Sequence, residues 1–330
     1  MEECCKAHFS EYYQGSAFDC NVTQLTSGSL LTKTICSPVK DIHLEIFESN
    51  QALLYEEEAN INSISFCWVG PEKNKGNKYI TTMSGYRMSN NSVAGFNRIS
   101  KTGGNTWNLL GTNSKLFCMS LRWERLNKRI QSLKAYEAYA RIEESIGFDS
   151  SNSSTVQLKR LVKEHFKGKT ITQPAKAFDL AIACLEEGAT GNSIERERSE
   201  SSELVEDLVK LIHEDRNGLS PITLTEISDY LDTGKNSLNK ACKETFGMNV
   251  LELTKVVRLE QVRKSLSNPT ISSGLRLFTK ERIAEYYGFS KWTTFEELYF
   301  RSYLENPEDT IEKTRDISIG VSALGGEQKI

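Results

Sequence analysis

The sequence predicts an α+β protein: an N-terminal β-rich half, barrel or sandwich-like, with flanking helices, then an all-α C-terminal domain of two helix-turn-helix units joined by a linker helix. Three observations predict this. Short strand patterns fill residues 21–123, a helical period takes over after Trp123, and one helix-turn-helix pattern occurs twice near the C-terminus.

In the β-rich part, Ile42, Leu44 and Ile46 alternate with His43 and Glu45, residues 63–69 form an apolar run, and Phe117, Met119 and Leu121 alternate again. Turn signals such as Asn74-Lys75-Gly76-Asn77 and Thr102-Gly103-Gly104-Asn105 separate the strands. Phe66, Trp68, Tyr79, Tyr86, Phe96, Trp107 and Phe117 are enough aromatics to line a small-molecule cavity, with core packing as their plainer use.

Leu126, Ile130, Leu133, Ala140 and Ile146 lie near one helical stripe, which suits either self-association or packing on its own β domain. Residues 156–166 and 174–186 read as amphipathic helices, the second with Pro174 at its first position. The predicted organisation is thus 1–186 as a regulatory and dimerisation domain (β-rich 21–123, helical 124–186), 187–202 as a polar linker, 203–310 as the last ordered unit, and 311–330 as a flexible tail.

The chain has 330 residues, 38% hydrophobic and 26% charged, which is ordinary for globular domains. No apolar run reaches the roughly 18 to 20 residues of a membrane span, so a cytoplasmic protein with no membrane partner is expected. Eight cysteines show no CxxC pair and four histidines no HxH pair. That spacing indicates neither a disulfide framework nor a zinc site, and Cys67 and Cys118 read as inert thiols in apolar strands. No enzyme, catalytic residue, metal or cofactor is expected.

The repeat carries the functional reading. Ile227 through Leu231, Asp232-Thr233-Gly234, Leu238, Cys242 and Phe246 are echoed by Ile283 through Tyr287, Gly288, Phe289, Phe295, Tyr299 and Tyr303. Thr223 and Glu226 form a capping box that marks the first helix entry, Ser290 is a candidate cap in the second unit, and residues 250–266 read as one connecting helix. Between Gly234 and Phe295 eleven Lys and Arg face five Glu, a balance of +6 in a chain whose total is −3. A basic face on an otherwise acidic molecule points to double-stranded DNA. The candidate contact residues are Lys235, Asn236, Asn239, Lys240 and Lys243 in the first unit and Lys291, Trp292, Thr293 and Glu296 in the second. Glu296 and Glu297 disfavour phosphate, so the first unit is expected to read bases and the second to act mainly through Trp292, Thr293 and its backbone.

The order Leu224, Ile227, Leu231, Leu238, Phe246-Gly247, Arg258-Leu259, Ile283-Ala284, Gly288-Phe289-Ser290, Phe295, Tyr299, Tyr303 and Pro307 resembles the DNA-binding domain of the AraC family of bacterial transcription regulators. The chain departs from that pattern at Val250, where Pro is common, and at Leu304, where Gly is common. The resemblance implies a transcription regulator with DNA as partner and a sensing N-terminal half. RNA polymerase, a small-molecule effector, a partner protein and a second copy are the further candidate partners. A protein-interaction adaptor that keeps the fold with little DNA affinity is the alternative.

Overall fold

In this computed structural model, residues 4–5, 22–57, 62–70, 79–83, 85–96, 106–187, 194–196, 200–214 and 223–313 are described. The turn signals at 74–77 and 102–105 and the tail beyond 313 lie outside them. The chain divides into two units, 1–22 with 31–206, and 23–30 with 207–330.

The strands are β1 (Cys4–Cys5), β2 (Val22–Gln24), β3 (Thr32–Val39), β4 (Ile42–Ser49), β5 (Leu53–Glu57), β6 (Ser63–Val69) and β7 (Thr82–Met83). They continue as β8 (Tyr86–Arg87), β9 (Ser92–Ala94), β10 (Thr106–Leu110), β11 (Ser114–Arg122), β12 (Gly147–Asp149) and β13 (Ile194–Arg196). The larger sheet runs β1-β3-β4-β11-β6-β9-β12-β13, and a second sheet contains the order β5-β10-β7-β8. The strands pair antiparallel and fall in two separate sheets, so of the two architectures expected it is the sandwich-like one that forms. β13 pairs with β12, Gly147 opposite Arg196, so the stretch expected as a linker contributes an edge strand. Three residues are too few to show a period-2 pattern. Gly147 is required where β12 passes Tyr86, because a Cβ there would meet the ring at 2.9 Å.

Strand alternation fixes the faces. Ile42, Leu44 and Ile46 of β4 join Phe66, Phe117 and Met119 in a core that also takes Leu126, Ile130, Ile142, Leu158 and Phe178. These last five come from α1 (Trp123–Leu133), α2 (Tyr136–Glu144), α3 (Ser153–His165) and α4 (Pro174–Glu187). Each such side chain contributes about 1.5 to 3 kcal/mol by leaving water. The stripe after Trp123 is therefore divided. Leu126 and Ile130 are wholly buried in their own unit, Leu133 is 47% exposed, and Lys134 in the left-handed region (φ 56°) separates α1 from α2. Core packing, not self-association, accounts for its buried part. All seven aromatics singled out in the β-rich half are buried as well.

α5 (Glu200–Glu214), of which 207–214 belong to the second unit, precedes α6 (Leu224–Tyr230), α7 (Lys235–Phe246), α8 (Val250–Ser267), α9 (Pro269–Gly274), α10 (Lys280–Tyr286) and α11 (Trp292–Tyr303). Residues 307–313 form one more helical stretch. It carries structure past residue 310, since Thr310 is fully buried and Ile311 packs on the Phe295 cluster. The strip 23–30 is held here too: Gly28 N–H donates to Ser302 O at 2.9 Å and Thr23 Oγ1 lies 3.5 Å from His213 Nε2.

Candidate nucleic-acid interface

Two copies of one local design build the interface. In the first, Thr223 Oγ1 accepts from Glu226 N–H at 3.2 Å while Glu226 Oε2 accepts from Thr223 N–H at 2.7 Å, which completes the expected capping box. The Thr223 N–H, and then the Thr223 hydroxyl, which donates to Glu226 Oε2 at 2.9 Å, hold the Glu226 carboxyl below its usual range. Asp232 adopts φ 45° in the turn, and Ser228 Oγ donates to Thr233 O. Gly234 caps α7 without a side-chain bond; Leu238, Cys242 and Phe246 are buried beneath it, and Gly247 closes it at φ 65°. Burial, then Glu252, pushes the Cys242 thiol up to about 12, which makes it an inert packing group.

In the second copy Thr279 Oγ1 accepts from Arg282 N–H at 3.3 Å, and Gly288 turns the chain at φ 90°. A Cβ there would stand 3.4 Å from Arg258 Nη1. The cap of α11 is Lys291 and it has no side-chain bond, so Ser290 does not cap: α11 begins one residue after the position from which Ser290 reaches its first turn. Phe289, Trp292, Phe295, Tyr299 and Tyr303 form a continuous ring series with centroids 4.8 to 5.4 Å apart.

α8 joins the copies and is about 27 Å long at 1.5 Å per residue. Asn249 and Glu252 form a second capping box at its start, which the sequence spells as Asn-x-x-Glu. Its buried polar residues serve the second copy. Tyr303 OH donates to Glu260 Oε2 at 2.9 Å, Arg263 Nη2 lies 3.1 Å from Glu305 Oε1, and Thr310 Oγ1 donates to Glu305 at 2.9 Å. Burial opposes the Glu305 charge, yet Arg263 and Lys313 hold its carboxyl below the usual range. Arg263 therefore leaves the basic face on which the charge count placed it: it is buried and neutralised by Glu260 and Glu305. Lys280 pairs with Glu308 and stacks on Trp292 at 4.8 Å, and Arg282 pairs with Glu285 at 2.9 Å.

Of the cations left, Lys235, Lys240 and Lys243 share α7, and Lys255, Arg276 and Lys291 are exposed elsewhere. Lys235, Asn236, Lys240 and Lys243 are exposed; Lys235 Nζ donates to Thr225 Oγ1 at 2.7 Å and Lys240 stands 4.0 Å from Glu244. Asn236, Asn239, Lys240 and Lys243, with Leu224 and Leu251, border an open groove of about 560 Å³. Asn239 is half-exposed and its Oδ1 accepts from Val250 N–H at 3.2 Å. That bond uses one of the two Oδ1 lone pairs and ties the Asn239 amide to the start of α8. On α11, Lys291 and Thr293 are exposed, Glu296 is half-exposed, and Trp292 rests against Phe295 at 5.1 Å.

No family model and no curated protein matches the chain. Solved structures similar to it include the AraC-like transcriptional activator CuxR, at 13% identity and TM-score 0.38, covering 80% of this chain and 95% of that one. ToxT from Vibrio cholerae O395 is similar at 13% identity and TM-score 0.30, covering 89% and 97%. The unsaturated fatty acid bound ToxT from Vibrio cholerae strain SCE256 is similar at 15% identity and TM-score 0.29, covering 90% and 95%.

Proposed function

We propose that the chain is a sequence-specific DNA-binding transcription regulator of the AraC type, in which α7 and α11 enter adjacent major grooves and the N-terminal unit adjusts that engagement. One observation carries this reading: a duplicated helix-turn-helix exposes three lysines and Asn236 on the second helix of its first copy, over a wholly apolar floor. Lys and Asn in that helix supply phosphate contacts and an adenine reader. Glu296 and Glu297 on α11 favour the second reading, an adaptor with little DNA affinity.

Anisotropy of the full chain on labelled duplex DNA separates the two. Each phosphate contact adds about 0.9 to the log–log salt slope, so the regulator shows affinity that falls steeply with salt. Affinity that is weak and flat across salt sinks it and leaves the adaptor.

A further inference from the structure

Three metal-ligating side chains, two of them spaced His-x-Glu on one strand and the third from its neighbour, meet on one face of the larger sheet. β3 and β4 are antiparallel neighbours in which Cys36 stands directly opposite Glu45. His43 and Glu45 are two apart on β4, so the pleat sends both to the same side, opposite to the side on which Ile42, Leu44 and Ile46 enter the core. Cys36 Sγ, a ring nitrogen of His43 and a carboxylate oxygen of Glu45 all lie within 4.8 Å of one another, and all three residues are half-buried. His43 Nε2 is 3.9 Å from Glu45 Oε2.

We propose that Cys36, His43 and Glu45 bind a zinc-class divalent cation, with a fourth tetrahedral position left for water or an incoming ligand. One sulfur, one nitrogen and one oxygen donor suit a borderline-soft cation and not magnesium or calcium, which take oxygen ligands. Zn–S and Zn–N bonds of about 2.3 and 2.0 Å at a tetrahedral angle put the donors about 3.5 Å apart, which small side-chain rotations from the present spacing reach. Cys118 stands opposite Glu45 on β11, and its Sγ lies 3.1 Å from Cys67 Sγ. That thiol pair continues the row Cys36, Glu45, Cys118 and Cys67 across β3, β4, β11 and β6.

Cobalt(II) titration of the reduced full chain tests the site, read without DNA so that it stands or falls apart from the DNA-binding proposal. The expected result is one equivalent of tetrahedral cobalt with thiolate charge-transfer absorption, displaced by stoichiometric zinc. Cys36→Ser abolishes the charge-transfer band. His43→Gln and Glu45→Gln each weaken binding at least about tenfold, the smaller loss known for changes one shell further out. Cys184→Ser, on α4 and bonded to Thr155 Oγ1, leaves the spectrum intact. Absence of the band in the reduced wild type overturns the proposal. So does a band that persists in a folded Cys36→Ser variant and disappears with Cys4→Ser, Cys5→Ser or Cys20→Ser. Should Cys36→Ser misfold by circular dichroism, the Glu45→Gln titration decides alone.

Discussion

The two helix-turn-helix copies share a backbone and differ in almost everything that faces outward or is buried as polar. Thr223 and Thr279 cap the first helices, Gly234 and Lys291 cap the second helices without a side-chain bond, and Gly247 and Leu304 end them in the left-handed region. Over that frame, Asn236, Asn239, Lys240 and Lys243 of α7 correspond to Thr293, Glu296, Glu297 and Phe300 of α11. Inside, Cys242 and Phe246 correspond to Tyr299 and Tyr303, whose hydroxyls bond to Thr310 and Glu260. One frame thus carries two different surfaces and cores: the first copy exposes cations and amides, and the second fastens α8 to the helical stretch 307–313 through a buried ionic network.

The largest expected effect tests that fastening. Glu305→Ala leaves the buried Arg263 guanidinium with Glu260 as its remaining carboxylate partner and lowers stability in a urea melt by about 3 kcal/mol, the low end for breaking a buried pair. Cys242→Ala in the first copy removes one sulfur from an apolar pocket and costs roughly 1 kcal/mol. Equal losses would break the distinction between the cores. Acid probes the same network: a carboxyl held below its unfolded value of about 4.3 gives stability that is present above that pH and lost as pH falls through the folded value. Stability therefore drops below about pH 4, and Glu305→Gln flattens that part of the profile.

Next in size is DNA binding. Asn236→Ala or Lys240→Ala weakens binding to the preferred duplex by about 1 to 3 kcal/mol if each residue reads a base, whereas Thr293→Ala changes it less. Glu297→Ala strengthens binding at low salt, because a carboxylate leaves the neighbourhood of phosphate. An Asn236→Ala loss that is equal on random DNA would reassign that residue to the backbone. A Thr293→Ala loss as large as that of Asn236→Ala would make the copies equivalent readers.

The smallest effect concerns the C-caps. Leu304 holds φ 55° with 57% of its surface exposed, so its strain has little packing to offset it. Leu304→Gly raises the midpoint of a thermal melt, by roughly 1 kcal/mol in stability, and Gly247→Leu lowers it by a similar amount. Opposite signs sharpen the view that both residues occupy the same structural position.

Local signals read correctly where one segment contained the whole of the feature. The Thr223 box, the α8 period, the strands at 42–49 and 63–69 and the repeat itself are each set by residues within a few positions of one another, and short-range sterics and amphipathic burial decide them. The Asn249 box went unread, although its Asn-x-x-Glu spacing matches the first.

The sequence alone determined the α+β order, the double helix-turn-helix and the α7 residues that face outward, because helix and strand periods are written into adjacent side chains. Tertiary structure alone decided that Arg263 lies buried against Glu305, that Asn239 is tied to Val250, that Gly28 bonds to Ser302, and that Cys36 faces Glu45 across two strands. Those pairings join positions whose separation along the chain carries no period, and only burial, strand register and the demand that buried polar groups find partners select them.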